Sequence, residues 1–203
     1  MELREIRRIY AESAVSYDRL MRLQERVLMG KLRWRLLRNA RGHVLEVAVG
    51  TGLSLEHYPP GCDIVGLDAS PEMLRLAVEQ ANSLQQPFTP VVGDAERLPF
   101  PDSSFDTVVS MLAGCTFPDP VAAFGEMRRV CRADGTILLL EHVRVNKPVI
   151  GKLQDLITPY SVRRHGCHQN RNTATHVAAA GLRITAARPS LGGYLLSIEA
   201  QPA

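Results

Sequence analysis

From residue 43 onward, short apolar runs of strand length alternate with amphipathic stretches of helix length, and this alternation restricts the chain more than any other feature. Runs at 43–49, 63–68, 89–93, 105–112 and 136–142 read as five strands, with helices at 54–57, 71–83 and 121–131 between them. The second helix opens on Ser70 as N-cap and Pro71 at its first position. Strands that alternate with helices predict a mostly parallel sheet covered on both faces. The pattern loosens over 144–170, then predicts a helix at 173–180 and a closing antiparallel pair at 182–188 and 194–200. The sum is an α/β fold of seven strands. The first forty residues read as helical, with a turn at Gly30, and so as a lid or membrane-contact segment placed before a core at 41–203.

At 203 residues and 45% hydrophobic content, the chain suits one core and therefore one domain, 1–203. No apolar run approaches the roughly 20 residues needed to span a bilayer, and the opening MELREIRRIY is not a secretory leader. The expectation is a cytoplasmic protein, peripheral to a membrane at most. Cys62, Cys115, Cys131 and Cys167 show no paired spacing, which predicts reduced thiols and no metal. Charge is uneven: residues 1–41 carry eleven Lys/Arg against five acids, whereas the remainder carries thirteen against sixteen. A basic end of this kind is attracted to anionic surfaces.

The most informative segment is Val44-Leu45-Glu46-Val47-Ala48-Val49-Gly50-Thr51-Gly52, a strand running into a glycine turn. Without a Cβ, Gly50 and Gly52 let a ligand approach the backbone. The next strand, Ile64-Val65-Gly66-Leu67-Asp68, ends in an acid sixteen residues after Gly52. A carboxylate there can accept from both hydroxyls of a ribose lying across the sheet. The dinucleotide fingerprint GxGxxG is not met, because AVGTGLSLEH has no third glycine, and a nicotinamide-dependent oxidoreductase is disfavoured.

Together with Gly93-Asp94-Ala95-Glu96-Arg97-Leu98-Pro99-Phe100 and Phe105-Asp106, these segments resemble the class I S-adenosylmethionine (SAM)-dependent methyltransferases and their Rossmann-like sheet. The resemblance implies that Glu46, Ala48, Gly50, Thr51 and Gly52 border the methionine part of SAM. It also implies that Asp68 and Ala69 hold the ribose, that Asp94, Ala95 and Glu96 meet the adenine edge, and that Met73 packs on its face. Ala48 departs from the family, which usually has glycine there. A SAM-binding protein without transfer is the non-enzymatic alternative.

The acceptor is less legible, since methyl transfer demands exclusion of water and alignment more than a fixed set of acids and bases. Tyr10 and Tyr17 lie seven residues apart on one helix face; in related enzymes such a helix, with a pair like Tyr17-Asp18, covers the cofactor. Arg19, Arg22, Arg26 and Arg33 form a stripe beside Leu20, Leu23, Val27 and Trp34, the composition of an interfacial helix. His142, His165 or His168 could remove a proton from an acceptor, and Arg163, Arg164, Cys167 and Arg171 lie where an open sheet presents substrate. Tyr-Pro-Pro-Gly-Cys at 58–62, Glu141-His142-Val143 and Gly166-Cys167 with Arg171 are similar to phosphatidylethanolamine N-methyltransferases and membrane-associated thiol methyltransferases. The ubiquinone/menaquinone C-methyltransferases are similar over the core. By that resemblance the expected acceptor is a lipid amine, with a hydrophobic thiol or a quinone as the alternative.

Overall fold

The computed structural model describes residues 2–12 and 29–203. Residues 3–12 form helix α1. There follow α2 (Gly30–Leu37), β1 (His43–Val47), β2 (Asp63–Asp68), α3 (Pro71–Leu84), β3 (Phe88–Val92), β4 (Phe105–Met111), α4 (Pro120–Val130) and β5 (Cys131–His142). The chain closes with α5 (Pro148–His165), α6 (Thr173–Ala179), β6 (Leu182–Ser190) and β7 (Leu195–Pro202). The sheet order is β3-β2-β1-β4-β5-β7-β6. All neighbours from β3 to β5 pair in parallel, whereas β7 runs antiparallel to both β5 and β6.

Period-two alternation divides the core between the two faces of the sheet. Leu45, Val47, Val108, Ile137 and Leu139 pack on Ala123, Phe124 and Met127 of α4. Their neighbours Val44, Ile64, Val109, Leu138 and Leu140 pack with Leu36 and Leu37 of α2 and Ala81 of α3. β3 lies at the sheet edge, where it tolerates Pro90 and its partly exposed pattern. The N-caps are local: Ser70 Oγ accepts from Met73 N, and the Asp119 carboxylate accepts from Val121 N and Ala122 N.

Gly30 opens α2 where a turn was expected, β5 begins early at Cys131, and two further segments depart more from the sequence expectation. The loosened stretch contains the 18-residue α5, whose polarity is inverted: it buries Gly151, Gln154, Thr158 and Ser161. Val149, Leu153, Leu156 and Tyr160 instead face outward, at 81%, 56%, 77% and 66% exposure. Polar links hold the helix to the body. Gln154 accepts from Val145 N at 2.7 Å and donates to Val143 O and Gln169 O, and Arg144 pairs with Asp155. The second difference is the arginine stripe. Arg33 is only 6% exposed and donates to Ser54 Oγ at 2.8 Å, because α2 packs that side against the turn after β1. Trp34 is half-exposed beneath Arg38, while Arg19, Leu20, Arg22, Leu23, Arg26 and Val27 lie outside the described residues.

Gly52 tests the helix–sheet packing directly. It has φ +81°, and a Cβ there would stand 2.8 Å from Leu55 Cδ1 and 3.1 Å from Ala77 Cα in α3. Gly52→Ala should therefore cost about 2–3 kcal/mol in urea unfolding. Gly125 in α4 has open space around it, so Gly125→Ala should be neutral or stabilising by up to about 1 kcal/mol. Equal effects of the two substitutions would contradict the packing described.

Candidate functional site

Strand order reverses between β1 and β4, and at such a switch point the loops after the strands part to leave a crevice. A cleft opens there, enclosing about 920 Å³ out to its mouth. Its floor is the turn after β1. Ala48, Gly50 and Gly52 have φ of 57°, 59° and 81°, so left-handed residues alternate through the turn. Ala48 adopts this conformation despite its Cβ, at a cost of roughly 1 kcal/mol relative to glycine. At Gly50 a Cβ would point into open space.

Asp68 is the hinge of the site. Its Oδ2 accepts from Gly50 N and its Oδ1 from Ser70 N, both at 2.9 Å, so one carboxylate ties the β1 turn to the start of α3. Burial pushes its pKa up, partly countered by those backbone donors. Glu46, fully buried beneath the cleft, accepts from Tyr58 Oη at 2.9 Å; burial likewise raises its pKa, against Ser54 and the nearby Arg33. Thr51 Oγ1 is buried and has no hydrogen-bond partner among the described residues. A buried hydroxyl left in this way is suited to a ligand group.

Of the residues expected to touch cofactor, Glu46, Ala48, Gly50, Thr51, Asp68, Ala69, Met73, Asp94, Ala95 and Glu96 all line the cleft. Gly52 does not. Its missing Cβ serves the close approach of α3. Asp94 Oδ1 accepts from Glu96 N at 2.9 Å, fixing the turn after β3, and Glu96 Oε1 accepts from Asp119 N. Tyr10 reaches the cleft with Leu3 and Ile6, a spacing that lays one face of α1 over the opening. Tyr17 lies outside the described residues.

The other acceptor-side candidates are placed elsewhere. His142 Nε2 lies 3.1 Å from Cys167 Sγ, and its ring stacks on Tyr194 at 5.6 Å, so it is turned away from the cleft lining. Arg163, Arg164 and His165 are exposed in the last turn of α5, where cations complement the helix carboxyl end. Arg171 donates to Gly114 O and so backs the cleft wall without entering it. His168 is tied through its backbone N to Cys115 O.

Sequence reasoning gave Arg33 to an interfacial stripe and Glu141 only to a family match, whereas Arg33 lines the cleft and Glu141 shapes its wall. The buried Glu141 carboxylate accepts from Ala113 N at 3.3 Å and Gly114 N at 3.0 Å, holding the loop after β4 that carries Leu112, Ala113, Thr116 and Phe117 to the cleft. An acid closing an otherwise apolar strand at 136–142 was the available signal. Burial pushes its pKa up to about 7, from 4.5. Because the folded value is raised, the stability from the protonated form is full below pH 4.5 and is lost as pH rises through 7. Glu141→Gln removes that dependence: the stability of wild type relative to the variant should fall by about 2–3 kcal/mol between pH 4.5 and 8. Urea unfolding at both pH values measures it, and parallel stability profiles would contradict the assignment.

A methyltransferase-domain family model matches residues 45–139, from β1 into β5. The phosphatidylethanolamine N-methyltransferase of Cereibacter sphaeroides is 39% identical over 127 residues, covering 60% of this chain and 62% of that protein. A ubiquinone/menaquinone biosynthesis C-methyltransferase of Citrifermentans bemidjiense is 34% identical over 160 residues, covering 73% and 67%. The matched stretch is thus less than two thirds of the first of these relatives. Among solved structures, a SAM-dependent methyltransferase from Thermotoga maritima aligns over 98% of this chain and 100% of its own, with a TM-score of 0.71 and 17% identity. Geranyl diphosphate methyltransferase in complex with SAM aligns over 86% and 84%, with a TM-score of 0.68 and 14% identity.

Proposed function

Because the chain belongs to the class I SAM-dependent methyltransferases, we propose that its acceptor is the amine of phosphatidylethanolamine or a related lipid, taken from a membrane surface. When bound, SAM supplies a methyl group activated on a sulfonium and leaves as S-adenosylhomocysteine. In this reading Asp68 accepts from the ribose hydroxyls with the lone pairs that Gly50 and Ser70 leave free, and Ala69 lies beside it. Asp94, the Ala95 backbone and Glu96 meet the adenine edge, and Met73 packs on the ring. Glu46, Ala48, Gly50 and Thr51 surround the methionine end, where the unpartnered Thr51 hydroxyl finds its acceptor or donor.

The observation that carries the acceptor class is α5. Its outward face of Val149, Leu153, Leu156 and Tyr160 is flanked by Lys147, Lys152, Arg163 and Arg164, the composition of a helix lying in a bilayer interface beside anionic headgroups. The helix follows β5, which is parallel to β4, itself parallel to β1, so it starts on the side of the sheet where the cleft opens. No helix among the described residues is long and apolar enough to cross a membrane. The reading therefore relocates the membrane contact from the N-terminal stripe to α5. Tyr10 lines the cleft, and an aromatic ring there suits an ammonium and the methylated cations that follow it. His142 and His165 are not among the residues that line the cleft.

A quinone ring is the second reading, favoured by the apolar wall of Leu3, Ile6, Leu112 and Phe117 and by the C-methyltransferase relative. The purified protein with labelled SAM should methylate phosphatidylethanolamine vesicles, and Tyr10→Ala should lower that turnover about tenfold or more while SAM affinity changes little. Labelled demethylmenaquinone with unlabelled lipid amine would overturn the amine reading in favour of the quinone, and labelling of an alkyl thiol alone would overturn both. Membrane contact is measured separately. Leu153→Asp with Leu156→Asp should abolish co-sedimentation with phosphatidylglycerol-containing vesicles without altering SAM binding, and undiminished co-sedimentation would contradict the role of α5.

A further inference from the structure

Behind the cleft wall, three elements bring two thiols and an imidazole together. Cys115 follows β4 in the loop held by Glu141, His142 closes β5, and Cys167 follows α5. Cys167 Sγ is the common partner: Cys115 Sγ lies at 3.4 Å, His142 Nε2 at 3.1 Å and Gln169 Nε2 at 3.3 Å. Cys115 is buried, whereas Cys167 keeps part of its surface exposed. The two loops are also joined through their backbones, His168 N donating to Cys115 O at 3.0 Å and Arg171 donating to Gly114 O.

The surroundings distinguish the two sulfurs. The contacts with Cys115 and His142 hold the Cys167 thiol well below its ordinary pKa, against the opposing effect of burial. The same contact, together with burial, pushes the Cys115 thiol up. Of the pair, Cys167 is the less buried and the more readily deprotonated. Cys62 and Cys131 provide the contrast. Both are buried, and burial pushes their thiols up, that of Cys131 to about 12.

We propose that Cys167 is a peroxide-sensitive modification site with Cys115 as its resolving thiol, the pair closing reversibly into a disulfide. The Cys167 thiolate attacks one oxygen of a hydroperoxide; an S–O bond forms, the O–O bond breaks, and the departing oxygen leaves as water or alcohol on taking up a proton. The imidazole of His142, on the same sulfur, is placed to donate that proton. Cys115 sulfur then attacks the sulfenic sulfur, the S–S bond forms, and hydroxide leaves with the Cys115 proton as water. Two thiols are oxidised and one peroxide is reduced. The 3.4 Å separation leaves the sulfurs a short closure to make. The new bond would pin the loop that carries Ala113 and Thr116 to the cleft.

The test uses the reduced full-length protein, exposed to stoichiometric hydrogen peroxide, alkylated and mapped as peptides without reductant. A Cys115–Cys167 cross-linked peptide should appear and vanish on adding dithiothreitol, while Cys62 and Cys131 remain alkylated. Cys115→Ser should instead accumulate a dimedone-reactive sulfenic acid on Cys167, and Cys167→Ser should leave Cys115 as a free thiol. His142→Gln should slow peroxide consumption several-fold without preventing closure. Free alkylation of both cysteines after peroxide, or a cross-link through Cys62 or Cys131, would overturn the proposal. So would purified protein carrying stoichiometric zinc that protects both thiols, because the cluster would then be a metal site.

Discussion

The Asp68 carboxylate is the point on which the cleft depends. It sits at the end of β2, yet it accepts a backbone hydrogen bond from the turn after β1 and another from the first turn of the α3 region. Those donors partly offset the cost of burying a charge, which still shows as a raised pKa. A carboxylate in this position does two things. It fixes the left-handed course of Ala48 to Gly52 and lines the cleft between them. The central strands supply the rigidity, because β1, β2 and β4 are buried on both faces and hold their ends in register.

Opposite this floor, the cleft wall hangs on a second buried acid. Glu141 gathers the amides of Ala113 and Gly114, and Leu112 enters that loop at φ 61°, a conformation a leucine keeps only where its neighbours enforce it. Arg171 fixes the same loop from behind through Gly114 O. This side of the cleft is therefore shaped by polar groups that do not themselves line it.

Legibility in the sequence followed hydrophobic pattern. Strands buried on both faces stand out as apolar runs, so β1, β2 and β4 were found to within a residue or two, and the acid ending β2 pointed to Asp68. β5 begins at Cys131, five residues before the expected start, because Arg132, Ala133 and Asp134 are exposed and break the apolar signal. α5 was missed for the opposite reason. Its apolar side faces outward and its inward side is Gly151, Gln154, Thr158 and Ser161, so periodicity has no conventional core face to register. Arg33 was misplaced because periodicity gives a residue's face but not what that face meets; here α2 turns it toward Ser54 and the cleft. The meeting of Cys115, His142 and Cys167 joins positions 25 and 52 residues apart and carries no local signature.

The central claim is that this cleft binds SAM through the buried carboxylate at the end of β2, and calorimetric titration of SAM into wild type and Asp68→Ala tests it most directly. Loss of charge-assisted hydrogen bonds worth roughly 1.5–3 kcal/mol each should weaken binding by at least about tenfold, with the circular dichroism spectrum retained. Equal affinity for SAM in the folded variant would contradict the account.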